Sequence, residues 1–335
     1  MFKGIIMNVL LTGATGFIGS HLSKRLLKDG HDVTLIVRNK NKLDKELQKS
    51  YRVVTADLLE REPVEKSLKG IEIVFNLAGN VKTWDSMDNY YSANVTAVEN
   101  LLNGVIKNRS SIRKVIHFST VDVYAYTNTE CSETDLADGG SYAYGKTKAI
   151  GEKILIKELS NANIPYTVIR PTNVIGPGSQ FIKEIGNHYK SGFMIKINGG
   201  KVDAGLIYID NLLDYVIWCA SSEKANGEIY NLCENNEITW DTFLKEFKTR
   251  IKAKAIDFNF PYAIARSFAI LCESVNKITG SSKEPLLHRL IVDMFGKTCN
   301  HSAAKIREHS KITPRIKFQE AIDNSIEFFL EGKKR

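Results

Sequence analysis

The run Thr12-Gly13-Ala14-Thr15-Gly16-Phe17-Ile18-Gly19 places three glycines where a phosphate-binding turn needs them. Glycine lets the turn tighten, lets backbone N–H groups approach a pyrophosphate, and lets the following helix pack close to its strand. The helix opening at Phe17 adds the partial positive charge of its N-terminus. Gly13, Thr15, Gly16, Phe17, Ile18 and Gly19 are therefore candidate contacts to a dinucleotide. The next strand ends Val37-Arg38-Asn39, where an NAD site usually carries Asp or Glu for the ribose 2′-hydroxyl. Arg38 offers a guanidinium, which suits a 2′-phosphate in shape and charge. NADP is the expected cofactor on that ground, with NAD as the alternative. Asp57, after the third strand, is either a partner for the adenine edge or a helix cap.

These residues need a scaffold, and the pattern of the first half supplies one. Short apolar runs at 9–11, 33–37, 51–55, 71–75, 115–118 and 166–169 alternate with helical spacing at 17–28, 63–69, 93–105 and 143–159. Alternation of this kind means a parallel sheet covered on both faces, and right-handed crossovers make it doubly wound. The expected fold is α/β, a Rossmann-type sheet with a smaller, mostly helical C-terminal substrate lobe. Residues 1–172 form the dinucleotide-binding domain and 173–335 mainly the substrate lobe, with 202–232 returning to the sheet through a strand near 206–209. The apolar stretch from Ala263 to Cys272 reads as a core helix of the small lobe. A lipophilic pocket wall or a membrane contact are the other readings.

Bulk properties narrow the class. The chain has 335 residues, 43% hydrophobic and 25% charged, as in an ordinary globular protein, and carries a formal charge of +8. A basic balance with no long Lys/Arg block favours phosphate-bearing small molecules over nucleic acid. Lys333, Lys334 and Arg335 read as a solvated basic end. Cys131, Cys219, Cys233, Cys272 and Cys299 are scattered, odd in number and without C-x-x-C spacing, so reduced cysteines in a cytoplasmic protein are expected, with no metal site. The opening residues 1–6 show no signal peptide, and Met7 is an alternative start. No segment is long and apolar enough to be an integral membrane span.

With the glycine run, Asn76-Leu77-Ala78-Gly79, Asn94-Val95-Thr96, Ser119-Thr120-Val121-Asp122-Val123-Tyr124, Tyr144-Gly145-Lys146-Thr147-Lys148 and Arg170-Pro171-Thr172-Asn173 stand in an order that resembles the extended short-chain dehydrogenase/reductase family. The resemblance covers nearly the whole chain and is most specific from Met7 to Pro177. It implies a Tyr-x-x-x-Lys pair, readable here as Tyr142 with Lys146 or Tyr144 with Lys148. We take Tyr144 and Lys148, because the Gly-Lys-Thr-Lys run with Glu152 beyond it is similar to the family pattern. Residues four apart share a helix face, so phenol and ammonium can meet. A cation nearby is expected to lower the phenol from about 10 towards neutrality, making it an acid/base. Thr120, at a strand end, donates to the substrate oxygen. Ser119 is a second donor or faces away. Asn94 anchors backbone or a water, or merely starts a helix. Tyr142 is a substrate-side or packing aromatic. The resemblance further implies that Leu58, Leu77, Ala78, Gly79, Pro171 and Asn173 line the cofactor, and it suggests a homodimer.

Two chemistries occur in this family. Val121 follows Thr120 where sugar dehydratases carry Asp-Glu, so that subgroup is disfavoured. Val37-Arg38 is similar to the dihydroflavonol-reductase-like branch. Residues Pro261 to Arg266, Lys305-Ile306 and Ile326 to Phe329 look like that branch and the 3β-hydroxysteroid-dehydrogenase group. The expected activity is therefore NAD(P)-dependent hydride transfer on a carbonyl/secondary-alcohol pair. A sugar-nucleotide 4-epimerase is the alternative, and a catalytically silent cofactor-sensing scaffold ranks third, since Tyr144 and Lys148 are both present.

Overall fold

The computed structural model describes residues 6–43, 45–126, 129–234, 237–281, 283–297 and 300–332; Cys299 and the basic end at 333–335 lie outside them. In the first half, β1 (Asn8–Thr12), α1 (Phe17–Lys28), β2 (Asp32–Val37), α2 (Lys45–Ser50), β3 (Arg52–Thr55), α3 (Arg61–Ser67) and β4 (Ile73–Asn76) follow in turn. Then come α4 (Met87–Tyr91), a π-helical turn (Ser92–Thr96), α5 (Ala97–Lys107), β5 (Lys114–Phe118), α6 (Ala143–Asn161) and β6 (Tyr166–Pro171). The second half holds β7 (Asn173–Ile175), α7 (Gln180–Lys190), β8 (Phe193–Ile197), β9 (Leu206–Tyr208), α8 (Ile209–Ser221) and β10 (Glu228–Leu232). It ends with α9 (Trp240–Arg250), β11 (Ile256–Phe260), α10 (Tyr262–Thr279), α11 (Arg289–Gly296), α12 (Ala304–Ser310) and α13 (Phe318–Glu331).

Seven strands form one sheet in the order β10-β6-β5-β4-β1-β2-β3, and every pairing in it is parallel. The chain winds from β1 outward to β3, then restarts at β4 on the other side of β1. That reversal opens a crevice beyond the C-terminal ends of β1 and β4, where doubly wound sheets bind ligands. Strand side chains alternate between two cores. Leu11, Leu35, Phe75 and Ile116 face the layer containing Leu22 and Leu212, while Leu10, Ile36, Val74 and Val115 face Val64, Leu101 and Leu155.

Three expectations need correction. The strand near 206–209 does not join the main sheet; β9 pairs with β7, and β10 is the strand that returns, beside β6. Alternating polarity identifies a strand but not its partner. The helix expected at 93–105 is α5 preceded by the π turn and α4, because one extra residue in the turn shifts the 3.6-residue apolar period. The third concerns α10, read as a core helix. Only Ala265, Ala269 and Glu273 of its eighteen residues are buried. Apolar content fitted a core helix, but no other element among the described residues covers its outer side.

Candidate active site

The glycine turn is built by close approach. Gly13 has φ +76°, and a Cβ there would stand 2.8 Å from the Leu77 carbonyl carbon; one on Gly19 would stand 2.2 Å from the Gly13 carbonyl oxygen. No other residue lets β1, β4 and α1 meet so closely. Thr12 joins the same strand ends. Its hydroxyl donates to Asn76 Oδ1 at 2.8 Å and accepts the Leu77 and Ala78 N–H groups, both at 3.1 Å. Gly16 precedes α1 with no capping side chain, and the first turn carries no acid. The first N–H groups of α1 therefore remain available, with the helix dipole behind them, at a rim where Thr15 and Gly16 are exposed.

On the β2–β3 side of the crevice, Arg38 is exposed and has no hydrogen-bond or ionic partner among the described residues. Asp57 Oδ1 accepts the Leu59 N–H at 3.0 Å, and Leu58 is buried with its carbonyl held by Asn100 Nδ2 at 3.1 Å. Glu60, not Asp57, occupies the position before α3, so the helix-cap reading gives way to a turn closed by the Asp57 carboxylate.

On the β4–β5 side, Asn94 lies in the π turn and not at a helix start. Its Oδ1 accepts the Asn80 N–H at 2.8 Å, and its Nδ2 donates to the Asn80 carbonyl and to Thr147 Oγ1, both at 3.2 Å. It thereby ties the backbone after β4 to α6. Gly79 sits over it: a Cβ there would meet Asn94 Oδ1 at 2.9 Å and Lys148 Nζ at 3.8 Å. Thr120 donates its hydroxyl proton to Asp122 Oδ2 at 2.7 Å and accepts the Asp122 N–H at 3.2 Å. In this arrangement the hydroxyl is bonded to Asp122. Ser119 is 5% exposed, and its Oγ has no partner among the described residues.

The Tyr144 phenol lies against Thr120. Burial and the Asp122 carboxylate push it above the ordinary tyrosine range, with the Thr120 contact pulling the other way. Burial brings the Lys148 ammonium down to about 8, against the attraction of Glu152. Its Nζ donates to the Phe118 carbonyl at 2.5 Å. The net shift of the phenol is therefore upward where lowering was expected, because burial disfavours its charged form.

The other register separates in space. Tyr142 donates to Asp293 Oδ2 at 2.5 Å, while Lys146 is exposed. Asp293 is also bonded by Tyr262 Oη at 2.6 Å and Arg266 Nη1 at 2.5 Å. Asp293 had no local signal in the sequence, since its partner Tyr142 lies 151 residues away. Beneath the site, Arg170 Nε donates to Glu152 Oε2 at 3.1 Å and Nη1 to Tyr124 Oη at 2.6 Å, pinning α6 to β6. Pro171 is buried at the end of β6, and Asn173 Nδ2 is held by the Ala204 carbonyl at 2.8 Å. Asn173 thus braces the β7–β9 region.

These features suit a dinucleotide. The glycine cradle leaves backbone N–H groups uncapped, and Ser119 Oγ is a buried polar atom without a partner. Comparison with known proteins agrees. The chain is 26% identical over 341 residues to the N-acetyl-alpha-D-glucosaminyl-diphospho-ditrans,octacis-undecaprenol 4-epimerase of Escherichia coli O157:H7, covering 98% of this chain and 97% of that protein. It is 24% identical over 322 residues to the 2-alkyl-3-oxoalkanoate reductase of Shewanella oneidensis, covering 90% of this chain and 81% of that protein. Its fold matches the UDP-glucuronic acid 4-epimerase of Bacillus cereus, solved with NAD, at TM-score 0.77 and 20% identity over 97% of each chain. The sequence profile of the NAD-dependent epimerase/dehydratase family matches residues 9–233, which carry the sheet and the site, and the chain belongs to that family.

Proposed function

We propose that the protein is an NAD(P)-dependent reductase or dehydrogenase acting on a carbonyl/secondary-alcohol pair. The observation that carries this reading is the Tyr144 phenol against Thr120, on the same crevice as the uncapped start of α1. The dinucleotide, when bound, supplies or accepts the hydride. The chain's own groups do the rest. The N–H groups at 13–19 hold the diphosphate, and Arg38 meets a 2′-phosphate, which favours NADP. Lys148, with Asn94 and Gly79 beside it, holds the nicotinamide ribose. Tyr144 exchanges the proton on the substrate oxygen. Reduction of a carbonyl takes a proton from the phenol, so the protonated form of Tyr144 is the starting state for that direction. Ser119, the free hydroxyl beside Thr120, is the donor that orients the substrate or the nicotinamide amide.

The second reading is a 4-epimerase, and the full-length similarity to the undecaprenol-linked epimerase favours it. One measurement separates the two. A reductase consumes NADPH in proportion to product. An epimerase purifies with bound NAD and shows no net change in nicotinamide absorbance during turnover, which would overturn the reductase reading.

A further inference from the structure

The outer side of α10 is an unpartnered apolar face. Ile264, Phe268, Leu271, Val275 and Ile278 recur at spacings of four and three, so they form one stripe. They are 57%, 45%, 59%, 50% and 85% exposed. Lys277 is the one charged residue among the exposed positions of this helix. Strand β11 leads straight into α10 through Pro261, and it too turns apolar side chains outward: Ile256, Phe258 and Phe260 are 62%, 47% and 39% exposed. Scattered exposed apolar residues need no explanation, but a continuous stripe over four turns marks an interaction surface.

Charge says what kind of surface fits. Between residues 252 and 281 the acids are Asp257 and Glu273, and both are neutralised internally. Asp257 pairs with Lys196 and Lys248, and Glu273 with Arg289. The lysines of this region are not: Lys252, Lys254 and Lys277 are exposed and have no acidic partner among the described residues, and just beyond it Lys283 is likewise unpaired, beside Glu284, which Thr83 and His288 bond. An apolar stripe flanked by unpaired lysines and stripped of free acids is the pattern of a helix lying in a lipid–water interface, apolar face down, cations towards anionic headgroups. No helix among the described residues is long and apolar enough to cross a membrane, so such contact is peripheral.

We propose that the α10 face, with the outward side of β11, docks on the surface of an anionic lipid bilayer. The placement relative to the cleft is direct. From the inner edge of α10, Arg266 reaches Asp293, which holds Tyr142, two residues before Tyr144. Docking therefore sets the substrate side of the cleft near the headgroups. The inference rests on this surface and not on the activity assigned to the cleft.

Vesicle flotation of the full chain tests it. The protein should float with vesicles of phosphatidylcholine containing about a third phosphatidylglycerol, and at least about tenfold less with phosphatidylcholine alone, with binding weakened by salt. The double variant F268E/L271E should lose binding at least about tenfold with an unchanged thermal midpoint, whereas L27E, at an exposed apolar position on α1, should bind like the parent. Should F268E/L271E fold poorly, K277E/K283E keeps the test open and must reduce binding to the anionic vesicles. Absence of flotation by the parent, equal binding to neutral vesicles, or full binding by the variants each overturns the proposal. So does a parent dimer in analytical ultracentrifugation that F268E/L271E dissociates while neither binds lipid, which would assign the face to a second copy.

Discussion

Lys148 and Tyr144, one turn apart on α6, are bonded to different partners. The Lys148 ammonium is bonded to the Phe118 carbonyl oxygen at 2.5 Å, while the phenol lies against Thr120. The two side chains share a helix face without pairing. Tyr144 is therefore a half-buried phenol in its protonated form, and Lys148 a buried amine brought down to about 8.

Replacing Tyr144 with Phe should lower turnover by about 10²–10⁴-fold, with NADPH affinity nearly unchanged in fluorescence titration. Tyr142→Phe removes a bond to the buried Asp293 carboxylate, which is worth about 1.5–3 kcal/mol. It should lower the midpoint of urea unfolding while turnover falls far less. A reversal of the two kinetic effects would restore the Tyr142–Lys146 register.

The buried lysines predict a pH dependence of stability. Burial brings both Lys148 and Lys114 to about 8, whereas an unfolded lysine titrates near about 10.4. Below pH 8 both states are protonated and the burial penalty is constant. Above 8 the folded chain releases protons that the unfolded chain keeps, so stability rises with pH. Cys219 acts with the opposite sign from pH 9, because burial raises its thiol to about 12. The rise is therefore steepest between pH 8 and 9. Lys148→Met should flatten it by about 1 kcal/mol across that unit, measured by urea unfolding at each pH. A stability difference between parent and variant that stays constant with pH would mean that Lys148 is not depressed.

Much of this arrangement is legible in the sequence because the information is local. The glycine run, the spacing of Tyr144 and Lys148, and Thr120 at a strand end each need a few neighbouring residues, and the alternation of strands and helices places them all at one edge of a parallel sheet. What was not legible depends on partners far along the chain or on one-residue slips. Asp293 gathers Tyr142, Tyr262 and Arg266 from three segments. The π turn around Asn94 breaks the apolar period by a single residue. Short β9 carries no mark saying that it pairs with β7. The exposure of α10 reversed an inference from apolar content alone, since hydrophobicity says that a face seeks a partner but not whether this chain supplies one.

Arg38 is exposed and has no polar partner among the described residues, so its removal breaks no hydrogen bond or ion pair among them. Arg38→Ala should leave the unfolding midpoint unchanged within error. A charge-assisted bond to a phosphate is worth about 1.5–3 kcal/mol, so NADPH should bind about 10–100-fold more weakly, with NADH affected little. The measurement is the ratio of the two dissociation constants. Equal loss for both cofactors would remove the argument for NADP.

Ser119→Ala separates stability from function. The Ser119 hydroxyl is buried at the end of β5 without a hydrogen-bond partner among the described residues, and a buried group in that condition costs about 1–3 kcal/mol. Deleting it removes the penalty along with the oxygen, so the variant should unfold at an equal or higher urea concentration. A hydroxyl retained only for packing would leave turnover and cofactor affinity untouched as well. A hydroxyl that donates to the nicotinamide amide or to the substrate oxygen is satisfied only in the loaded enzyme, and its loss should lower the specificity constant about tenfold or more while the folded state gains. A fall in stability together with unchanged kinetics would show that Ser119 is bonded within the protein and has no part in the site.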